Sequence, residues 1–173
     1  MALIKDKRLA PDPWQLLEAL DAGEDGVLPP LPAGDVIVPL AAWLHAREQL
    51  VRRSGRVGVW LGGDDDPARI AGDFDHLAVI AVRFPKFVDG RGYSIGRLLR
   101  ERYGWRGELR AVGDIQRDEL FYLARCGFDA FDLREGEDAD GAIAALDGFS
   151  ETYQAAVDQP LPLFRRRASS SPA

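Results

Sequence analysis

The chain has 173 residues, 46% of them hydrophobic and 29% charged, which suits one folded domain with its own core and excludes a disordered or collagen-like chain. Its formal charge of -6 argues against a general binder of nucleic acid or of anionic membranes. A single cysteine, Cys126, rules out an intramolecular disulfide, a C-x-x-C redox pair, a cysteine-ligated cluster and a structural zinc site built from this chain alone.

Residues 1–34 are broken by Pro11, Pro13, Pro29, Pro30 and Pro32 and read as an N-terminal arm. A short helix is expected over 14–20, with Asp12 as its cap and Pro13 at the first helical position. A single α/β domain follows over 35–158. It begins with a strand at Val36-Ile-Val38, an amphipathic helix over 40–53 and a strand over 56–61. Gly62-Gly-Asp-Asp-Asp-Pro67 is a sharp turn whose carboxylates can cap a short helix opened by Pro67. The run 77–82 is continuously apolar, as a central strand covered on both faces would be. After a tight loop at 89–92 come a helix over 93–103 with Gly104 as its stop, a strand over 108–112 and a turn at Gly113-Asp114. A helix over 116–125 ended by Gly127 and a strand over 128–133 complete the regular part. A last helix is expected over 138–147, an extended or helical stretch over 149–156, and an extended C-terminal tail over 159–173 whose last ten residues are mobile. The result is an α/β fold of about five mainly parallel strands alternating with helices, either an open sheet or a partial (βα) barrel.

Charge is unevenly spread. Between Arg83 and Arg125 ten basic residues face six acidic ones, whereas the rest of the chain carries twelve against twenty-two. Such a basic island can mark an anion or partner site, or only solvated helix faces. In parallel α/β folds ligands gather at the carboxyl edge of the strands, where this sequence supplies Lys86, Asp89, Arg91, Tyr93, Ser94, Asp114 and Arg117 as candidate binding residues. Arg91, between two glycines, suits a small oxyanion or a carboxylate through its planar fork; alternatively Asp89 and Ser94 cap the helix while Arg91 pairs with a neighbouring carboxylate. Asp114 and Asp132 are the candidate acid or base groups. Arg97, Arg100 and Arg102 are expected on the helix exterior and its ends.

Other chemistries lack their motifs. There is no G-x-G-x-x-G, P-loop or G-x-S-x-G elbow, and His45 and His76 form no metal-ligand spacing. Asp64-Asp-Asp66 lacks the spacing of a calcium loop and reads as turn and cap. No metal and no cofactor is expected in the chain alone. Without a signal-peptide pattern or an apolar run of about 18 residues, a cytoplasmic location is expected.

The runs Phe84-Pro-Lys-Phe-Val-Asp-Gly-Arg-Gly-Tyr-Ser94, Arg97-Leu-Leu-Arg-Glu-Arg102, Gly107-Glu-Leu-Arg-Ala-Val-Gly-Asp114 and Arg125-Cys-Gly-Phe-Asp-Ala-Phe131, with the ending Pro162-Leu-Phe-Arg-Arg-Arg167, resemble an uncharacterised bacterial family. Its members are described as oxidoreductases of sulfite reduction, encoded beside assimilatory sulfite reductase. The resemblance covers roughly residues 35–167 and implies a role in sulfur assimilation and cysteine biosynthesis; it brings no catalytic residue with it. Multi-electron reduction of sulfite needs cofactor centres whose usual ligands one cysteine and two separate histidines do not supply. The expectation is therefore an accessory protein that docks on sulfite reductase or its electron donor. An enzyme acting on a small anion with a borrowed cofactor, and a non-catalytic barrel-fragment scaffold, are the alternatives.

Overall fold

The computed structural model describes residues 2–20 and 27–169. Five strands follow the apolar runs: β4 (Asp35–Pro39), β5 (Val57–Leu61), β6 (Val79–Phe84), β7 (Glu108–Gly113) and β8 (Ala130–Leu133). They pair in parallel and in chain order. The connections carry α1 (Leu40–Val51), a 3-10 helix (Pro67–His76) capped by the Asp66 side chain, α2 (Arg91–Glu101), and a 3-10 turn (Arg117–Glu119) leading into α3 (Leu120–Arg125). Consecutive parallel strands with crossovers of one hand put every helix on one side of the sheet. Residues of that side, among them Val38, Val59, Val82, Leu109 and Phe131, pack with Trp43, Ile70, Leu99 and Leu120 in one large core. The alternate residues Ile37, Val79, Ala81 and Val112 form a smaller cluster on the opposite, inner face, together with Trp14, Leu16 and Trp60.

The segment read as an arm is part of the sheet. β1 (Ala2–Lys5) pairs antiparallel with β8, β2 (Arg8–Ala10) pairs with β1, and β3 (Trp14–Leu16) adds to β4 in parallel. The sheet thus has eight strands, in the order β2-β1-β8-β7-β6-β5-β4-β3, where five were expected. The helix expected over 14–20 is corrected to a strand. Trp14 and Leu16 alternate with exposed Gln15, a period of two that turns both half-buried apolar side chains to the inner face.

This order has a geometric consequence. β2 and β3 are opposite edges of the sheet, yet only residues 11–13 separate them. Four residue steps span at most about 14 Å, so the sheet curls until its edges nearly meet. Of the two arrangements the sequence allowed, the partial barrel is the one formed. Pro11 and Pro13 occupy the junction, where their missing N–H groups withhold ladder donors.

Beyond β8, α4 (Ala139–Ala145) follows the expected helix, whereas the segment 149–156 contains no helix or strand. The tail expected to be extended over 159–173 forms α5 (Leu163–Ser169); residues 170–173 lie outside the described residues. Among the described residues, no helix is long and apolar enough to cross a membrane.

Candidate functional site

The inner face of the barrel carries charge where the strands would otherwise read as apolar. β7 sends Glu108 and Arg110 inward, two residues apart. Arg110 is 2% exposed. Its Nη1 donates to both carboxylate oxygens of Asp12, at 3.0 and 2.9 Å, and its Nε donates to Glu108 Oε1 at 2.8 Å; Nη2 lies 2.7 Å from the same Glu108 oxygen. Lys5 Nζ donates to Glu108 Oε2 at 2.7 Å. Asp12 belongs to the junction between the two sheet edges, so this ion pair ties the junction to the barrel wall.

Asp132 also faces inward, on β8 beside Leu3. Its side chain makes no hydrogen bond or ion pair among the described residues, and burial pushes its carboxyl pKa up, opposed by the positive charge of Arg110. Toward the mouth, Arg83 pairs with Glu18 at 2.5 Å and places its guanidinium over Trp60, 5.3 Å from the ring centre. Trp60 Nε1 donates to the Leu17 carbonyl at 2.9 Å.

A pKa raised in the folded state means that protonation favours the fold: the stabilisation is present below the ordinary carboxyl pKa and lost as pH rises through the folded value. Asp132→Asn, which keeps the shape without the charge, is expected to raise the melting temperature at pH 7 and to lose that advantage below about pH 4. Melting curves at the two pH values check it, and a variant less stable at neutral pH would contradict it.

The rim above the strand ends holds the loop candidates. Arg91 donates to Asp89 through Nε at 2.8 Å and Nη2 at 2.7 Å, and its Nη1 reaches Asp64 on the loop after β5. The Asp89 carboxyl is held down to about 2, chiefly by the side-chain hydrogen bonds from Arg91, whose own pKa rises. Gly63 admits this contact, since a Cβ there would lie 2.8 Å from Arg91 Nε. Of the two sequence readings of Arg91, the structure shows the pairing with neighbouring carboxylates. Asp114 Oδ2 accepts the Phe87 N–H at 3.2 Å, the Asp114 N–H donates to the Phe84 carbonyl at 2.7 Å, and Arg134 pairs with Asp114 at 3.1 Å.

Loop 85–90 is therefore tied at the Phe87 N–H and at Asp89, and Lys86, Phe87 (46%) and Val88 (84%) are exposed on it. Lys86, Asp89, Arg91 and Asp114 share this rim. The other candidates lie elsewhere. Tyr93 packs between Phe84 and Tyr122 on the helix side and donates its hydroxyl to Glu119 Oε1 at 2.6 Å; burial, then Glu119, raises its pKa. Ser94 is on the outward face of α2, and Arg117 is exposed at the start of the 3-10 turn.

Arg100, expected with Arg97 and Arg102 on the helix exterior and its ends, lies at the C-terminal end of α2 with its side chain turned inward. It donates to the Gly127, Trp105 and Gly107 carbonyls and to Asp129, because a long side chain near the C-terminal end of α2 reaches free carbonyls of the following loops. The sequence reading also passed over Arg110, Glu108, Asp12 and Lys5. The available signal was the pair of charges at alternate positions inside an apolar strand.

Fold and site together define an incomplete (βα) barrel with a charged interior and a rim clamped by ion pairs. The chain belongs to a bacterial family described as a protein of unknown function (DUF934), whose profile matches residues 58–164. The match runs from β5 into α5 and takes in loop 85–90. No curated protein and no solved structure matches the chain.

Proposed function

We propose that the chain is a cytoplasmic accessory protein of assimilatory sulfite reduction that docks on sulfite reductase or its electron donor through the rim of the barrel. The pathway comes from the resemblance of the motifs quoted above. The observation that carries docking is loop 85–90, which presents Phe87 and Val88 to solvent on a segment held by Asp114 at the Phe87 N–H and by the Asp89–Arg91–Asp64 clamp two residues further on. An apolar tip that is already ordered gives up little entropy on binding, which is the property of an interface anchor. Phe87→Ser with Val88→Asp is expected to weaken co-purification with sulfite reductase at least about tenfold, to slow growth on sulfate as sulfur source, and to leave the melting temperature unchanged. Undiminished co-purification would remove the reading.

One observation favours an enzyme instead. Asp132 is an inward carboxyl at a strand end, unpaired among the described residues and with its pKa raised by burial, as a proton donor to a small anion would be. Under this reading the purified protein shows flavin bands and Asp132→Asn abolishes sulfite-dependent growth, whereas the docking reading predicts neither.

A further inference from the structure

The segment that leads into β4 carries three prolines in four residues, Pro29-Pro30-Leu31-Pro32. Each proline ring fixes its own φ at about -65°, and each proline pushes the residue before it into the extended region. Residues 28–32 are therefore confined to the polyproline II region, and none of them lies in a helix or strand. A polyproline II helix turns once every three residues, and burial follows that period. Leu28 is 3% exposed and Leu31 is half-buried, both packed in the main core, while Pro29 and Pro30 are exposed.

Side chains beside this segment hold it at both ends. The Leu28 N–H donates to Gln49 Oε1 at 3.2 Å, and Gln49 Nε2 donates to the Leu28 carbonyl at 3.5 Å. Arg53 Nη2 donates to the Pro32 carbonyl at 2.7 Å and its Nη1 to the Gly34 carbonyl at 2.6 Å. The exposed stretch between these ties offers rings and acceptors only. Pro29 and Pro30 have no N–H, and among the described residues their carbonyls accept no hydrogen bond. The parallel step from β3 to β4 needs a chain long enough to cross over; it does not need three prolines. A segment already held in one conformation loses little entropy when it is bound.

We propose that residues 28–32 are a recognition segment for a partner domain with an aromatic-lined groove. The aromatic rings of the groove pack on Pro29 and Pro30, and its indole N–H or phenol O–H groups donate to their carbonyls, which is how polyproline II segments are read. A face of acceptors alone does not pair with a sheet edge, which needs N–H groups as well. The segment lies beside the C-terminal end of α1 and the start of β4, at the amino edge of the sheet, whereas loop 85–90 follows the carboxyl end of β6. The proposal therefore does not depend on docking at the rim.

The test uses the full chain and, as probe, an isolated WW domain carrying an isotope label for NMR, a module with such a groove. Adding the chain is expected to shift the amide signals of the groove residues. Pro29→Ala with Pro30→Ala is expected to weaken that binding at least about tenfold, with unchanged circular dichroism because both residues are exposed. A peptide with the sequence of residues 27–34 should compete, and Phe87→Ser should bind as the native chain does. No shift of the groove signals, or equal binding by the double proline variant, overturns the proposal. So does a dimer in sedimentation that the same two substitutions dissolve, since the segment would then serve a second copy.

Discussion

Arg110→Ala is expected to destabilise the protein by about 3–5 kcal/mol, because removing one partner of a buried ion pair leaves the other uncompensated. Glu108 lies 8% exposed beneath Arg110 and would keep only Lys5, itself 41% exposed. Asp12 would lose both of its contacts from Arg110 Nη1, and with them the tie that holds the junction between β2 and β3 to the wall of the barrel. The loss should therefore show both as a lower urea midpoint and as faster amide exchange over residues 8–16. Asp12→Ala removes a partner that is 32% exposed and should cost less, about 1–2 kcal/mol, while producing the same local exchange. If Arg110→Ala unfolds at the native urea midpoint, the interior pair does not close the sheet.

The second large effect is expected at Gly113, the last residue of β7. Its φ is +105°, and a Cβ there would lie 2.4 Å from the Phe84 carbonyl oxygen, which is backbone and cannot turn aside. Gly113→Ala combines an unfavourable dihedral with that overlap and should cost about 3 kcal/mol. Gly104 supplies the control: its φ is +74° with nothing within 4 Å of the added carbon, so Gly104→Ala carries the dihedral cost alone, about 1 kcal/mol. The difference has a functional side. The same Phe84 carbonyl accepts the Asp114 N–H, and Asp114 in turn holds Phe87 and Arg134, so a shift at Gly113 loosens the rim loop. Thermal melts of the two variants decide the matter, and equal losses would show that the contact with Phe84 carries no strain.

The rim depends on ion pairs between successive βα loops, Asp64 from one and Asp89 with Arg91 from the next.

β4 to β8 and the helices between them could be read from the sequence because apolar runs and 3.6-residue spacing are local properties. The turn at Asp64–Asp66 and the pairing of Asp89 with Arg91 were open to inspection for the same reason, since their partners lie within a few residues. β1, β2 and β3 were not legible. Each is three or four residues long, Pro11 and Pro13 separate β2 from β3, and their pairing with β8 and β4 comes from distant parts of the chain. Arg110 and Asp12 are 98 residues apart; only the curl of the sheet, imposed by a three-residue junction between its opposite edges, brings them together. The island of ten basic residues was visible at once, but which of them stay free was decided in three dimensions. The sequence by itself thus determined the α/β class and where the positive charge lies, because periodicity and composition are written residue by residue. The tertiary structure decided the curl of the sheet, the charged interior and which arginines meet carboxylates, because each depends on register and on contacts between residues far apart in the chain.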